Sequence, residues 1–384
     1  MTTAMHLELL DRFDDRRRVE DIWQNLAASS NCSYFLSWGW IQNWIETLPR
    51  EIPVKLAVLT NGAGPRSAFF LGRAQVANQG IFRSKAYLLN QTGNWTYDRL
   101  YIEHNSVLHS DQGPCSLQQI VDSLPGEWEE LYLSALAPSS FPANDLQIAA
   151  PHEILIANVI PCPYVDLQQA RDNPKGYTAL LSSNARSQIK RSYKLYEGRG
   201  PLVAELAQDV PTALAIYDEL IALHEAWWQR RSKPGAFHSE YFRAFHRRLI
   251  ERRFHSGEIQ LLRLRCGNET VGCLYNFVFR GIVYFYQSGL AFEEDNRFKP
   301  GYVCHVEAIQ LNAKAGHRRY DFLAGVEDYK ERLSTHQDSI VWARVQKPKV
   351  KFKVERVLRG VALKGAAWYH DRKRSKPRSL ARQS

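Results

Sequence analysis

The chain has 384 residues, 45% of them hydrophobic and 12% aromatic, which is ample for sizeable cores in two or three domains and argues against a disordered chain. Its net charge of +10 is uneven: from Lys347 onward 13 Lys or Arg face only Glu355 and Asp371, so the first 346 residues sum to −1. No leader pattern and no run of about 18 apolar residues occurs, which predicts a cytoplasmic chain, and six cysteines without CxxC pairs or nearby His predict neither a metal site nor a disulfide framework.

In chain order, Arg16 to Ala28 and Ser37 to Leu48 read as helices. The strands VKLAVLT, RSAFFLGRAQV and AYLLN follow, the first two separated by Asn61-Gly62-Ala63-Gly64. A shorter helix, Ser116 to Leu124, and a strand, Glu130 to Leu136, complete the first half. Between Leu100 and Ile120 there is no Lys or Arg, and the loop Ser110-Asp111-Gln112-Gly113-Pro114 is acidic, so it would repel a phosphate-bearing donor.

The second half opens on a basic helix in which Arg186, Lys190 and Lys194 are four apart and share a face. That face is either a site for an acceptor's phosphate or carboxylate, or simply solvated. Helices over Thr212 to Arg231 and Ser239 to Phe254 come next, then an antiparallel meander, Glu258 to Arg265, Thr270 to Arg280 and Ile282 to Gly289. After the meander, Arg297 and Lys299 precede Pro300 and Gly301, and apolar residues at Val303, Val306, Ile309 and Ala313 mark a helix. A helix start beside cations favours a bound anion such as a pyrophosphate, and Gly301 allows close approach. The strand RRYDFLAG follows.

This order, a basic glycine loop between the last meander strand and the next helix, resembles the GNAT acyltransferase superfamily. HEAWWQRRSKPGAF, RFKPG and YDFLAGVEDYK are similar, more narrowly, to the CelD-like acetyltransferase family of exopolysaccharide and cellulose production, related to the Fem peptidyltransferases. Tyr302 and Val303 stand where the common loop has its second small residue. The resemblance implies an α/β fold (α+β, mixed sheet) of two tandem GNAT-like domains. A degenerate first domain spans 1–165, a catalytic one 166–346, and a basic amphipathic tail 347–384.

It further implies acetyl-CoA or another acyl-CoA as donor, held at Arg297, Lys299, Gly301 and Tyr302, with no metal and direct transfer. Lys330 matches the lysine of the closing motif and would stabilise the oxyanion, or else pairs with Glu327 or Glu331. Tyr329 would protonate the leaving thiolate, and Asp321 would orient Lys330 or the acceptor, or satisfy a strand end. His224, beside Trp227 and Trp228, is a candidate general base or a packed histidine. Trp228, with Arg186, Lys190 and Lys194, is placed on the acceptor side.

The expected acceptor is a carbohydrate or nucleotide-linked precursor of a surface polysaccharide. A Fem-like transferase using aminoacyl-tRNA and a non-catalytic adaptor of a synthase complex are the alternatives. In the tail, Val350, Val354, Val357, Leu358, Val361 and Trp368 fit one apolar helix face among cations, suited to an anionic membrane surface, to tRNA, or to a solvated end.

Overall fold

The computed structural model describes residues 5–62, 64–78, 82–137 and 146–355. The elements are β1 (His6–Asp11), α1 (Arg16–Ser29), α2 (Trp38–Thr47), β2 (Val54–Thr60), β3 (Pro65–Asn78), β4 (Phe82–Leu89), α3 (Trp95–Asp98), β5 (Leu108–His109), α4 (Leu117–Ser123), β6 (Glu130–Leu136), β7 (Glu153–Asp166), α5 (Leu167–Asp172), α6 (Ser183–Glu197), β8 (Leu202–Leu206), α7 (Val210–Gln229), α8 (Glu240–Arg253), β9 (Ile259–Cys266), β10 (Glu269–Phe279), β11 (Ile282–Leu290), α9 (Pro300–Lys314), β12 (Arg319–Asp321), α10 (Asp328–Leu333) and β13 (His336–Gln346). Helix starts follow local chemistry. Asp209 accepts from Thr212 N–H (2.7 Å) ahead of α7, Ser182 caps α6 and Ser239 caps α8.

All strands among the described residues join one mixed sheet ordered β1-β2-β3-β4-β6-β13-β7-β12-β11-β10-β9-β8, with β5 beside β3. The expected repeat is plain in it. β1-α1-α2-β2-β3-β4-α4-β6 and β8-α7-α8-β9-β10-β11-α9-β12 share one order. In each, the first strand is antiparallel to the next, and the last strand is parallel to the third meander strand. At the centre the halves exchange strands. β7, which follows β6, pairs with β12 of the second half, whereas β13, which follows α10, pairs with β6 of the first. β7 and β13 also pair with each other from Glu153 to Tyr164 against His336 to Gln346. The boundary expected at 165/166 thus falls at the end of β7, and pairing crosses it in both directions.

Two prolines in so central a strand need an explanation, because proline cannot donate to a ladder. The carbonyls of Pro161 and Pro163 accept from Gly325 (3.1 Å) and Phe322 (3.0 Å). Their missing N–H groups share that edge, beyond the three-residue ladder with β12, where the neighbouring chain offers donors and needs none.

One core unites the halves: Trp23, Trp40 and Trp44 of α1 and α2 pack with Tyr217 of α7, Phe242 and Phe245 of α8, and with β2, β3 and β9 to β11. The outer faces carry separate cores, under α5, α6 and α9 in the second half and under α4 in the first. All six cysteines are buried and free. No helix among the described residues is long and apolar enough to cross a membrane. In the tail, Val350 and Val354 are exposed. Val357, Leu358, Val361 and Trp368 lie outside the described residues.

Candidate active site

β11 and β12 are paired only where Ile282 to Tyr284 meet Arg319 to Asp321. Beyond that point they part. On one side, Gln287 opposes Tyr275 and Phe285 opposes Asn276, so Tyr286 is an extra residue that bends β11. On the other side, Asp321 Oδ1 accepts from Leu323 N–H (2.8 Å) and Leu323 takes a left-handed φ of 60°. The strand expected over RRYDFLAG therefore stops at Asp321, and the chain leans toward β7. Between the diverging strands lies a cleft of about 910 Å³, walled by Phe285, Tyr286, Trp227, Phe292 and Phe298.

In the first half the equivalent fork, past Ala86 to Leu88 beside Glu130 to Tyr132, is sealed by a side chain. Buried Asn105 donates to the Leu89 carbonyl (3.1 Å) and the Ser134 carbonyl (3.0 Å), bridging the two strands, and accepts from Asn90 (2.7 Å). The repeat keeps the architecture and loses the opening.

Of the expected donor-binding residues, Lys299, Gly301 and Tyr302 line the cleft and Arg297 does not. Arg297 is clamped on Asp295 (2.7 Å) in solvent. Lys299 N–H is taken by Ser192 Oγ (2.9 Å), and the Lys299 carbonyl receives Tyr302 N–H (2.9 Å) and Val303 N–H (3.2 Å). Among the described residues this leaves Gly301 N–H as the loop's open donor. The helix start therefore offers fewer donors than expected, because Pro300 has no N–H and those of Lys299 and Tyr302 are already taken.

Lys330, Tyr329, His224 and Trp228 also line the cleft. Lys330 is buried; its Nζ donates to the Ala324 carbonyl (2.7 Å) and lies 3.4 Å from Glu327. A Cβ on Gly325 would stand 2.6 Å from that Nζ, so glycine is what lets the ammonium fold over the loop. Tyr329 stacks on His305 (5.4 Å), and burial pushes its phenol up, keeping it a neutral donor. His224 Nδ1 lies 3.1 Å from the Ser288 carbonyl, and burial lowers its pKa. The neutral ring is thereby held with Nδ1–H donating and Nε2 carrying its lone pair, but Nε2 is covered by Gly235.

Asp321 lies outside the cleft lining, buried beneath it. Burial would raise its pKa, yet His104 at 3.3 Å and Arg319 at 2.7 Å hold it at about 2. Arg186, Lys190 and Lys194 are not in the cleft either: they are exposed on α6, with Arg186 donating back to the Leu181 carbonyl ahead of that helix.

Sequence reasoning missed Glu103. It comes from the first half, is half-buried, and faces the cleft beside Lys330. Burial pushes its carboxyl up to about 7, against the Ala324 N–H and the Lys330 charge. The signal available was the Glu103-His104 pair in a stretch without cations. Arg231 and Lys233, at the end of α7, also reach the cleft, Arg231 lying over Trp227 at 3.2 Å. Among the described residues no cluster of three or more His, Cys, Asp or Glu could hold a metal ion.

Residues 183–331, from α6 into α10, match the family described as Acetyltransferase (GNAT) domain. No curated protein matches the chain. Among solved structures, FemX matches at TM-score 0.53 and 9% identity, covering 85% of this chain and 95% of that one. The C-terminal domain of a putative lysylphosphatidylglycerol synthetase from Agrobacterium fabrum matches at TM-score 0.47 and 11% identity, covering 90% and 96%. A tandem GNAT protein from the clavulanic acid biosynthesis pathway matches at TM-score 0.43 and 12% identity, covering 90% and 99%. Identities this low speak for the fold alone, and of the three only FemX overlays closely enough to be used. FemX shares the fold. The half that holds the open fork is the half the family match spans: residues 183–331 match a GNAT acetyltransferase domain, and on that match the protein is an acyltransferase.

Proposed function

We propose that the protein transfers an acyl group from acetyl-CoA, or a close acyl-CoA, to an amine or hydroxyl of a carbohydrate or nucleotide-linked precursor in exopolysaccharide or cellulose assembly. The observation that carries the reading is the open fork between β11 and β12, with Lys330 and Gly301 both lining the cleft it forms. Lys299 and Gly301 N–H would hold the donor's phosphates, and the aromatic wall along β11 would cover its apolar arm. The bound thioester supplies the acyl carbonyl. The Lys330 ammonium faces the oxyanion that develops on it, a contribution of roughly 3 kcal/mol for a well-placed donor. The Tyr329 phenol holds the proton for the leaving sulfur. Trp228 and His224 form the wall on the acceptor's side. The polysaccharide setting is supported by the RFKPG and YDFLAGVEDYK segments.

Calorimetric titration of acetyl-CoA into the full chain tests this. Wild type binds; Lys299→Ala weakens binding by roughly 5-fold, more at low salt. Lys330→Met leaves affinity within about 2-fold but lowers thiol release from acetyl-CoA by about 100-fold. A wild type that neither binds nor is thermally stabilised by acetyl-CoA sinks the donor assignment.

A Fem-like aminoacyl-tRNA donor is the second reading, favoured by the FemX-like fold and by Arg231 and Lys233 at the cleft. It predicts tight binding of charged tRNA that falls steeply with salt. A cleft furnished in this way favours catalysis over the adaptor reading. The exposed Val350 and Val354 beside Lys349 and Lys353 support docking of the tail on the inner membrane face. Co-sedimentation with anionic but not neutral vesicles checks it.

A further inference from the structure

The segment that seals the first half's fork also reaches into the second half's open one. It turns through left-handed backbone at Tyr101 (φ 47°) and His104 (φ 46°), a conformation that non-glycine residues keep only where their surroundings hold them. The surroundings do hold it. Tyr286 donates to the Leu100 carbonyl (2.7 Å), Ser33 to the Glu103 carbonyl (3.4 Å), and Asn105 is pinned between β4 and β6. Held at both ends, the segment projects two side chains across the seam. His104 meets Asp321, and Glu103 Oε2 accepts from Ala324 N–H (2.5 Å). The carbonyl of the same Ala324 receives Lys330 (2.7 Å). One residue thus aligns a carboxyl and an ammonium at the tip of the fork. The two form no ion pair with each other, Lys330 turning to Glu327 instead, and among the described residues Glu103 Oε1 accepts no hydrogen bond.

We propose that Glu103, supplied by the degenerate first half, is the general base of the second half's acyl-transfer site. The assignment rests on the acyl-transfer reading above. The acceptor's nitrogen or oxygen bonds to the thioester carbon as its proton passes to Oε1. The tetrahedral oxyanion, facing Lys330, collapses; the C–S bond breaks with its electron pair on sulfur. The thiolate takes the Tyr329 proton, which is restored from Glu103 through solvent. The groups facing this carboxyl are His104 on its own segment, Asp321 with Arg319 on β12, Lys330 on α10, Cys162 on β7 and Tyr286 on β11. A carboxyl held up at about 7 is divided between acid and base near neutrality, as a proton acceptor in this role requires.

The test measures acetyl-CoA binding by calorimetry and thiol release with water as the acceptor, for wild type, Glu103→Gln and Glu103→Asp, from pH 5.5 to 9. Glutamine keeps an oxygen for Ala324 N–H and removes the base. We expect unchanged binding, a rate about 100-fold lower in Glu103→Gln, and loss of the wild-type rise in rate through about pH 7. Glu103→Asp, still a carboxylate, should regain part of the rate, which a purely structural role would not give. Equal thiol release in wild type and Glu103→Gln, including equality at the uncatalysed level, overturns the proposal. So does an unaltered pH profile in Glu103→Gln. Absence of acetyl-CoA binding to all three proteins instead removes the donor reading, and this assignment with it.

Discussion

Asn105→Ala, within the first half, should be strongly destabilising. The residue is 1% exposed, and its side chain bonds at least to the Leu89 and Ser134 carbonyls and from Asn90 Nδ2 and Ser106 N–H (2.9 Å). The main-chain bonds of residue 105 with Ala135 and Ala137 survive the change, so the loss is confined to the side chain. Each buried partner left unsatisfied costs about 1–3 kcal/mol, but relaxation and water make such losses less than additive, so about 4 kcal/mol is expected. Thermal unfolding should then fall by roughly 5 °C. Asn105→Asp, which keeps the acceptor and loses both donors, should be nearly as damaging. Calorimetric unfolding with parallel urea titration checks both variants. A shift under about 2 °C would refute the argument that this amide closes the first fork. Because Glu103 lies two residues upstream, thiol release should drop in Asn105→Ala even where the protein remains folded.

Two further outcomes follow from packing and charge. In Gly289→Ala the new methyl would sit 2.9 Å from the Leu220 backbone of α7, and closer still to its carbonyl oxygen. The helix must move, at a cost of about 1–3 kcal/mol, and carries with it Trp227, which stacks on Phe292 in the cleft's aromatic wall. Lower melting together with weaker acetyl-CoA binding is expected, and an unchanged affinity would show that α7 is not a wall of the site. Asp321 has a folded pKa lowered to about 2 from an ordinary 3.8, so its stabilisation, roughly 2 kcal/mol, is present above about pH 4 and is lost as pH falls toward 2. Stability measured against pH should therefore decline less over that window in Asp321→Asn than in wild type.

The helices and meanders of both halves were legible because each carries its own period and punctuation: Asp209 and Pro211 open α7, and Gly281 turns β10 into β11. β7 was not. Pro161 and Pro163 argue against a central strand, and only the drift of β12 away from them makes the strand tolerable. At the site, Lys330 was legible through the resemblance of YDFLAGVEDYK to a family's closing motif, and that motif also contains its partner Ala324, six residues back. Glu103 was not, since it meets Ala324 across 221 positions and through a loop without periodicity. The basic loop was legible as chemistry but not as geometry: nothing in RFKPG says that Arg297 folds back on Asp295 while Lys299 turns to the cleft.

The exchange of β7 and β13 makes the two repeats a linked pair rather than beads on a string. Cut between them, each piece keeps a strand that belongs to the other: the leading piece holds β7 without β12, and the trailing piece holds β13 without β6. Both would expose raw sheet edges to other chains. The stretch that matches the GNAT family, residues 183–331, contains neither strand, so the recognisable enzyme is not a self-sufficient folding unit. A half without a cleft of its own thus remains part of the working one, because the strands at the middle of the common sheet are paired across the two.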